Sequence, residues 1–405
     1  MSAERHGRRP NRVHGVRILV SILATLLFAT AAGAEDRGSL QGNPFRGRDL
    51  LREKLCTECH SVWGHGGVVG PDLSTAVAGK RWLELVGDFW NHTPRMIDAM
   101  HTKGYAWPEL SRDEMADVLS YLYYLRLFDE PGDPTKGSLA FFRLRCSNCH
   151  TLAGKGGIGG GALDRFSAYG SPVALAQAMW NAGPVMQQVQ MGRNSSVPQF
   201  FGDEIADLQA YIRQEGMRAD RRVVLLPLPD PQKGARLFES KRCSSCHGGP
   251  SGIGPSLEAT NMNLSVSEIG AILWNHSYQM FATMRATGLT LPRFEGNEMA
   301  DLISYLHFIG FFSEAGDPKR GKAVFTDRGC GHCHSGASPK AFDLRSSSAI
   351  GDSISLAAAM WNHATDVHQR MAELAVAWPR FGPGEMEDLS AYLETLSRDS
   401  GESVK

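Results

Sequence analysis

The chain of 405 residues holds only eight cysteines, and none is spare. All eight fall in four copies of Cys-x-x-Cys-His, at Cys56-Cys59-His60, Cys146-Cys149-His150, Cys243-Cys246-His247 and Cys330-Cys333-His334, so no thiol remains for a structural disulfide. Net charge is also nearly missing: 42 Lys+Arg against 43 Asp+Glu leave a formal −1, which gives no footprint for nucleic acid. Past the N-terminus no apolar stretch approaches the roughly 20 residues needed to cross a bilayer. There is no His-Glu-x-x-His, no Gly-x-Ser-x-Gly elbow and no P-loop, which removes the usual signatures of zinc proteases, serine hydrolases and phosphate-binding nucleotidases. Gly154-Lys155-Gly156-Gly157-Ile158-Gly159 fits a dinucleotide pattern, but it follows a motif histidine rather than a strand and reads as a flexible loop.

What is present is one chemical pattern written four times. Two thiols three residues apart can add to the two vinyl groups of one porphyrin, and the adjacent imidazole can bond the iron from one face. A Cys-x-x-Cys pair alone would also suit half a zinc site, a redox dithiol or a disulfide. The histidine at the same offset in every copy favours attachment of four covalent c-type haems, each with iron, over those alternatives.

The N-terminus is basic (Arg5, Arg8, Arg9, Arg12, Arg17), then apolar from Ile18 to about Ala32, then Ala32-Gly33-Ala34 before Glu35-Asp36. This pattern predicts a signal peptide over residues 1–34, too short to serve as a span. Removing five Arg and one Glu takes a net +4 from the chain, so −1 becomes −5. A periplasmic or otherwise exported bacterial location is expected.

First cysteines recur at intervals of 90, 97 and 87 residues, and the surrounding text repeats with them. Turn-rich linkers, Glu130-Pro131-Gly132-Asp133-Pro134, Pro227-Leu228-Pro229-Asp230-Pro231 and Glu314-Ala315-Gly316-Asp317-Pro318, place unit boundaries at 35–131, 132–228, 229–315 and 316–405. Ahead of each motif an Asn or Asp N-cap and a Pro at the first helical position predict an entry helix: Asn43-Pro44 to Leu55, Asp133-Pro134 to Arg145, Asp230-Pro231 to Arg242, and Asp317-Pro318 to Gly329. Each unit closes on an amphipathic run, such as Asp113 through Leu125 with Met115, Val118, Leu119 and Leu122 on one stripe. Charges such as Asp113 to Asp117 read as solvated surface. With few or no strand signals, the fold class is all-α, with long loops wrapped on cofactors.

A Trp-Asn pair forms the second landmark: Trp90-Asn91 and Trp180-Asn181 lie 34 residues after the first cysteine, Trp274-Asn275 and Trp361-Asn362 lie 31 after it. Methionines follow. A thioether opposite the proximal histidine would raise the reduction potential and close the iron. Six residues after Trp stand Met96, Met186, Met280 and then Val367; ten after stand Met100, Gln190, Met284 and Met371. Met96, Met186 and Met280 are preferred because Thr, Gly or Ser ahead of them suggests a fresh helix start. In the fourth unit the choice falls to Met371, with His368 as competitor. His92, His276 and His363 offer a bis-histidine alternative that Ala182 interrupts. A hydrogen bond to a propionate or to backbone is the role expected of these histidines and of the Trp indoles.

Taken together, these features resemble tandem class I cytochrome c domains of bacterial multihaem electron carriers, over nearly all of residues 43–398. The resemblance rests on the entry helix, Cys-x-x-Cys-His, a Gly-Pro-x-Leu loop, the distal methionine region and a final Ala-Asp-Leu-x-x-Tyr-Leu-like helix. It implies that the carbonyls of Pro71 and Pro255 orient the proximal imidazoles. Units two and four depart, with Gly160-Gly161-Ala162-Leu163 and Lys340-Ala341-Phe342-Asp343-Leu344, so their histidine orientations are expected to differ.

The expected function is that of a conductor rather than an enzyme. Four haems held by the eight motif cysteines, with His60, His150, His247 and His334 on the irons, would relay electrons between a redox donor and an acceptor, and docking to a membrane respiratory complex is a further expectation. The rival is peroxidase or nitrogen-oxide chemistry at an open iron in the fourth unit, served by His363 or His368. A third reading is a sensor or a scaffold subunit.

Overall fold

The computed structural model describes residues 42–402, less 78, 126, 128–130, 217–225, 250–251, 258–263, 313–315, 336–342, 348–349 and 351. The leader expected over 1–34 and part of the fourth loop, 340–342, lie outside the described residues. Three helices recur in every repeat. Entry helices span Pro44–Glu53, Pro134–Arg143, Pro231–Ser240 and Pro318–Asp327. Long middle helices span Trp82–Thr102, Val173–Gly192, Val266–Ala286 and Ser353–Glu373. Closing helices span Arg112–Leu125, Glu204–Gly216, Glu298–Phe312 and Glu385–Glu402. The described strands are two tiny antiparallel hairpins, Ser61–Val62 with His65–Gly66 and Thr151–Leu152 with Lys155–Gly156. The second turns the expected loop at Gly154 into a two-strand ladder.

Each entry helix starts as its N-cap predicts. The side chains of Asn43, Asp133, Asp230 and Asp317 accept from the first free amides of the helix, which would otherwise lack partners. The N-cap's own N–H then donates to a closing-helix aspartate: Asn43 to Asp117 at 2.6 Å, Asp133 to Asp207 at 2.7 Å, Asp230 to Asp301 at 2.8 Å and Asp317 to Asp388 at 2.7 Å. Asp117 is therefore not plain solvated surface; it staples the two ends of its repeat together. Entry and closing helices cross backbone to backbone at Gly47, Gly137, Gly234 and Gly321, where a Cβ would overlap the carbonyl of that same aspartate.

The middle helices run unbroken through the sites where a fresh start was expected. Thr93 and Ser277 lie buried inside them and bond back to the Phe89 and Trp274 carbonyls at 2.7 Å each, so they serve the helix rather than cap it. Pro94 and Pro184 lie within the helix as well. A helical proline cannot donate to the carbonyl four residues back. In the first repeat that carbonyl, on Trp90, accepts instead from the Trp378 indole of the fourth repeat at 2.9 Å.

That bond belongs to a pairing that the order of repeats along the chain does not suggest. The first repeat docks on the fourth, and the second on the third. Trp90 donates to the Pro379 carbonyl and Trp361 to the Pro108 carbonyl, while Trp107 and Trp378 return the exchange to Trp361 and Trp90. Asn91 holds both polar backbone groups of Phe381, and Asn362 both of Leu110. The other pair repeats this pattern, with Asn181 on Phe294, Asn275 on Phe200, Trp180 on the Pro292 carbonyl and Trp274 on the Pro198 carbonyl. The Trp-Asn landmark is a reciprocal docking device, as in a two-fold interface; the indoles do reach backbone, but that of a partner repeat. The pairs join where Tyr123 donates to the Ser304 carbonyl at 2.5 Å and Tyr124 to that of Pro229 at 2.8 Å. Described contacts thus link the repeats in the spatial order second, third, first, fourth.

Candidate functional site

In each repeat the entry helix stops short of the Cys-x-x-Cys-His motif. The residue before the first cysteine adopts a left-handed conformation, with φ of 64° at Leu55, 59° at Arg145, 65° at Arg242 and 78° at Gly329. Three of these carry side chains in a region that costs them about 1–2 kcal/mol. That reversal sets the first cysteine against the core and leaves the motif in a single tight turn. Burial pushes the thiols of Cys56, Cys146, Cys243 and Cys330 up to about 11. Thiols held protonated are poor metal thiolates and poor redox nucleophiles. Among the described residues no three His, Cys, Asp or Glu side chains gather as a metal cage of their own.

The proximal imidazoles are aimed from behind. Nδ1 of His60 donates to the Pro71 carbonyl at 2.9 Å and Nδ1 of His247 to that of Pro255 at 2.9 Å. In the second repeat the Gly161 carbonyl does the same for His150 at 2.8 Å. The departure from proline there leaves the histidine's orientation unchanged, because a backbone carbonyl needs no particular side chain. This bond leaves Nε2 as the nitrogen available to iron. Gly70, Gly160 and Gly254 lie flat behind the rings, where a Cβ would overlap the imidazole. Asp72 pins the loop of the first repeat, accepting from Ser61 Oγ at 2.8 Å, the Gly64 amide at 2.7 Å and the Ser74 amide at 2.9 Å.

Beside these groups the first repeat encloses a cavity of about 530 Å³, within the roughly 300–1,000 Å³ of ligand sites. One wall holds Cys56, Cys59 and His60; another, on the middle helix, holds His92, Met96 and Met100. Leucines and valines of the entry and closing helices complete it, and Trp361 and Arg380 enter from the fourth repeat. An apolar slot with two thiols and an imidazole along one side fits a covalently held haem. Arg95 and Arg380 also line the slot and would offer cations to the acidic propionates of a haem held there.

Met186 and Met280 pack at the edges of the second and third repeats' cores. Met371 lies near the end of its middle helix, and the His368 ring is 5.9 Å from Trp378. Two of the histidines that follow the Trp-Asn pairs stand near the motif histidines of their repeats. The His92 ring is 6.4 Å from that of His60, and His363 is 6.0 Å from His334. Burial holds His92, His276 and His363 below the usual histidine range, and the facing proximal imidazole lowers each further. Neutral imidazole is the metal-binding form.

Residues 45–126 match the family model described as Cytochrome c. Residues 229–306 match the model described as Cytochrome C oxidase, cbb3-type, subunit III. No curated protein matches the chain, and no solved structure does. The two family matches fall on the first and third repeats. The architecture is all-α, and the two matches support a chain with more than one c-type cytochrome domain, a kind of domain that carries covalent haem and exchanges electrons with redox partners. Among the described residues no helix is long and apolar enough to cross a membrane.

Proposed function

We propose that this chain is an exported tetrahaem electron carrier, with one haem on each Cys-x-x-Cys-His motif and domain boundaries near 131, 228 and 315. The observation that carries the reading is the first-repeat cavity, which is lined by both thiols and a buttressed imidazole and also by His92, Met96 and Met100, side chains of the types that ligate haem iron. Haem bound there supplies one-electron exchange. Cys56 and Cys59 would attach it, the Pro71 carbonyl would hold His60 toward it, and the apolar lining would exclude water from it.

The pairing of repeats gives the relay a route that differs from chain order. Trp361 of the fourth repeat lines the first cavity and stacks on Trp107 at 4.5 Å, while Trp90 stacks on Trp378 at 4.3 Å. Electrons would cross between the first and fourth repeats through this aromatic seam, and between the second and third across the matching face. Donor and acceptor proteins would then meet the outer repeats, the second and the fourth. The rival reading of an open iron in the fourth repeat loses ground, because His363 faces His334 where a substrate would bind. The test is the purified exported protein: its mass should exceed that of the processed chain by four haems, and a redox titration should resolve unequal components. A mass without added haem would refute the reading.

A further inference from the structure

We propose that His92, His276 and His363 are the distal iron ligands of the first, third and fourth repeats, and that a methionine, Met186, holds this position only in the second. The proposal rests on the tetrahaem reading above and names the ligands of those same sites.

Distance is the first argument. A metal–imidazole bond is about 2 Å and the ring centre lies about 1.1 Å beyond its nitrogen, so two imidazoles on opposite faces of one iron have centres roughly 6 Å apart. His60 and His92 stand 6.4 Å apart, His334 and His363 6.0 Å. The His92 ring therefore stands at the separation that a second imidazole on an iron bonded to His60 would need.

Orientation is the second argument. Nδ1 of His60 is held by the Pro71 carbonyl and Nδ1 of His92 by the Asp88 carbonyl one turn back in its own helix. Both rings thus keep Nε2 for the metal, the arrangement that ligand histidines use to fix tautomer and direction. His276 occupies the same helical position and bonds to the Ile272 backbone, four residues back. In the fourth repeat the Asp366 carboxylate lies 3.8 Å from Nδ1 of His363.

Complementarity between repeats is the third. Ala182 replaces the histidine in the second repeat, where Met186 is kept; Val367 replaces the methionine in the fourth, where His363 is kept. Met96 lies one helical turn past His92 and lines the same cavity, so the two compete for one iron and the proposal gives it to His92. Since methionine ligation raises the reduction potential, the second repeat would hold the highest-potential haem. It stands at one end of the spatial order, so electrons entering at the fourth repeat would collect there.

Near-infrared absorption of the oxidised four-haem protein tests this, because sulfur-ligated ferric haem has a charge-transfer band that bis-histidine haem lacks. The expected intensity is that of one haem in four, abolished in Met186→Ala and unchanged in Met96→Ala and Met280→Ala. His92→Met should double it, and His92→Ala should let one ferrous haem in four bind carbon monoxide. A band worth three or four haems, or its reduction in Met96→Ala, would overturn the ligand assignment while leaving the tetrahaem reading intact. Missing covalent haem would instead overturn the tetrahaem reading.

Discussion

Asn362 offers the sharpest test of the pairing between the first and fourth repeats. Its Oδ1 accepts the Leu110 amide at 2.8 Å and its Nδ2 donates to the Leu110 carbonyl at 2.8 Å. Leu110 is only 5% exposed, so water cannot replace either bond. Asn362→Ala would leave two buried backbone groups without partners, at about 1–3 kcal/mol each. Allowing for partial relaxation, a total loss of roughly 3 kcal/mol is expected. The assay is denaturant unfolding of the holoprotein followed by circular dichroism and by haem absorbance. Gln369→Ala, which removes one exposed 3.3 Å contact to Glu373, serves as control and should change stability by less than about 0.5 kcal/mol. The double variant with Asn91→Ala should lose less than the sum of the two single changes, because both asparagines clamp one interface. If Asn362→Ala were no more destabilising than the control, the docking device would be wrong.

Other outcomes follow from the same geometry. Gly70→Ala should displace the His60 ring and alter the Soret spectrum of the haem held by that repeat, whereas Gly192→Ala, with open space around it, should not; identical spectra would count against the buttress. Arg81 lies 3.1 Å from Glu387, which is 5% exposed, across the same seam. Arg81→Met removes that cation from a buried carboxylate and should cost about 3 kcal/mol in thermal or chemical unfolding. For Asp72, burial alone would raise the pKa, but bonds from Ser74, the Gly64 amide and Ser61 outweigh it and hold the carboxyl well below its ordinary value. A depressed folded pKa contributes stability above the unfolded value near about 3.9, and that stability drains away as pH falls below it. Stability measured from about pH 5 to pH 2 should therefore fall more steeply in the native protein than in Asp72→Asn; equal slopes would contradict the sign.

Much of this protein was legible in the residues themselves, where the cause is local. Cys-x-x-Cys-His is a covalent pattern, and N-cap with proline is an intrahelical one, so haem attachment and the starts of the entry helices could be read without neighbours. Periodicity likewise located the closing helices to within a few residues. What needed tertiary structure was everything whose cause lies across space. The Trp indoles were expected to bond a propionate or backbone, and the backbone groups that the Trp-Asn landmark reaches lie about 75 to 290 positions away, beyond any local pattern. Thr93 looked like a cap because threonine caps helices, but the docked fourth repeat stabilises a helix running straight through Pro94. Asp117 looked like solvated charge until the entry helix was seen to cross at Gly47 and offer it an amide. Sequence alone determined which side chains could meet an iron; only the fold decided which of them face one another, because helix direction and repeat pairing are set by packing distant surfaces together.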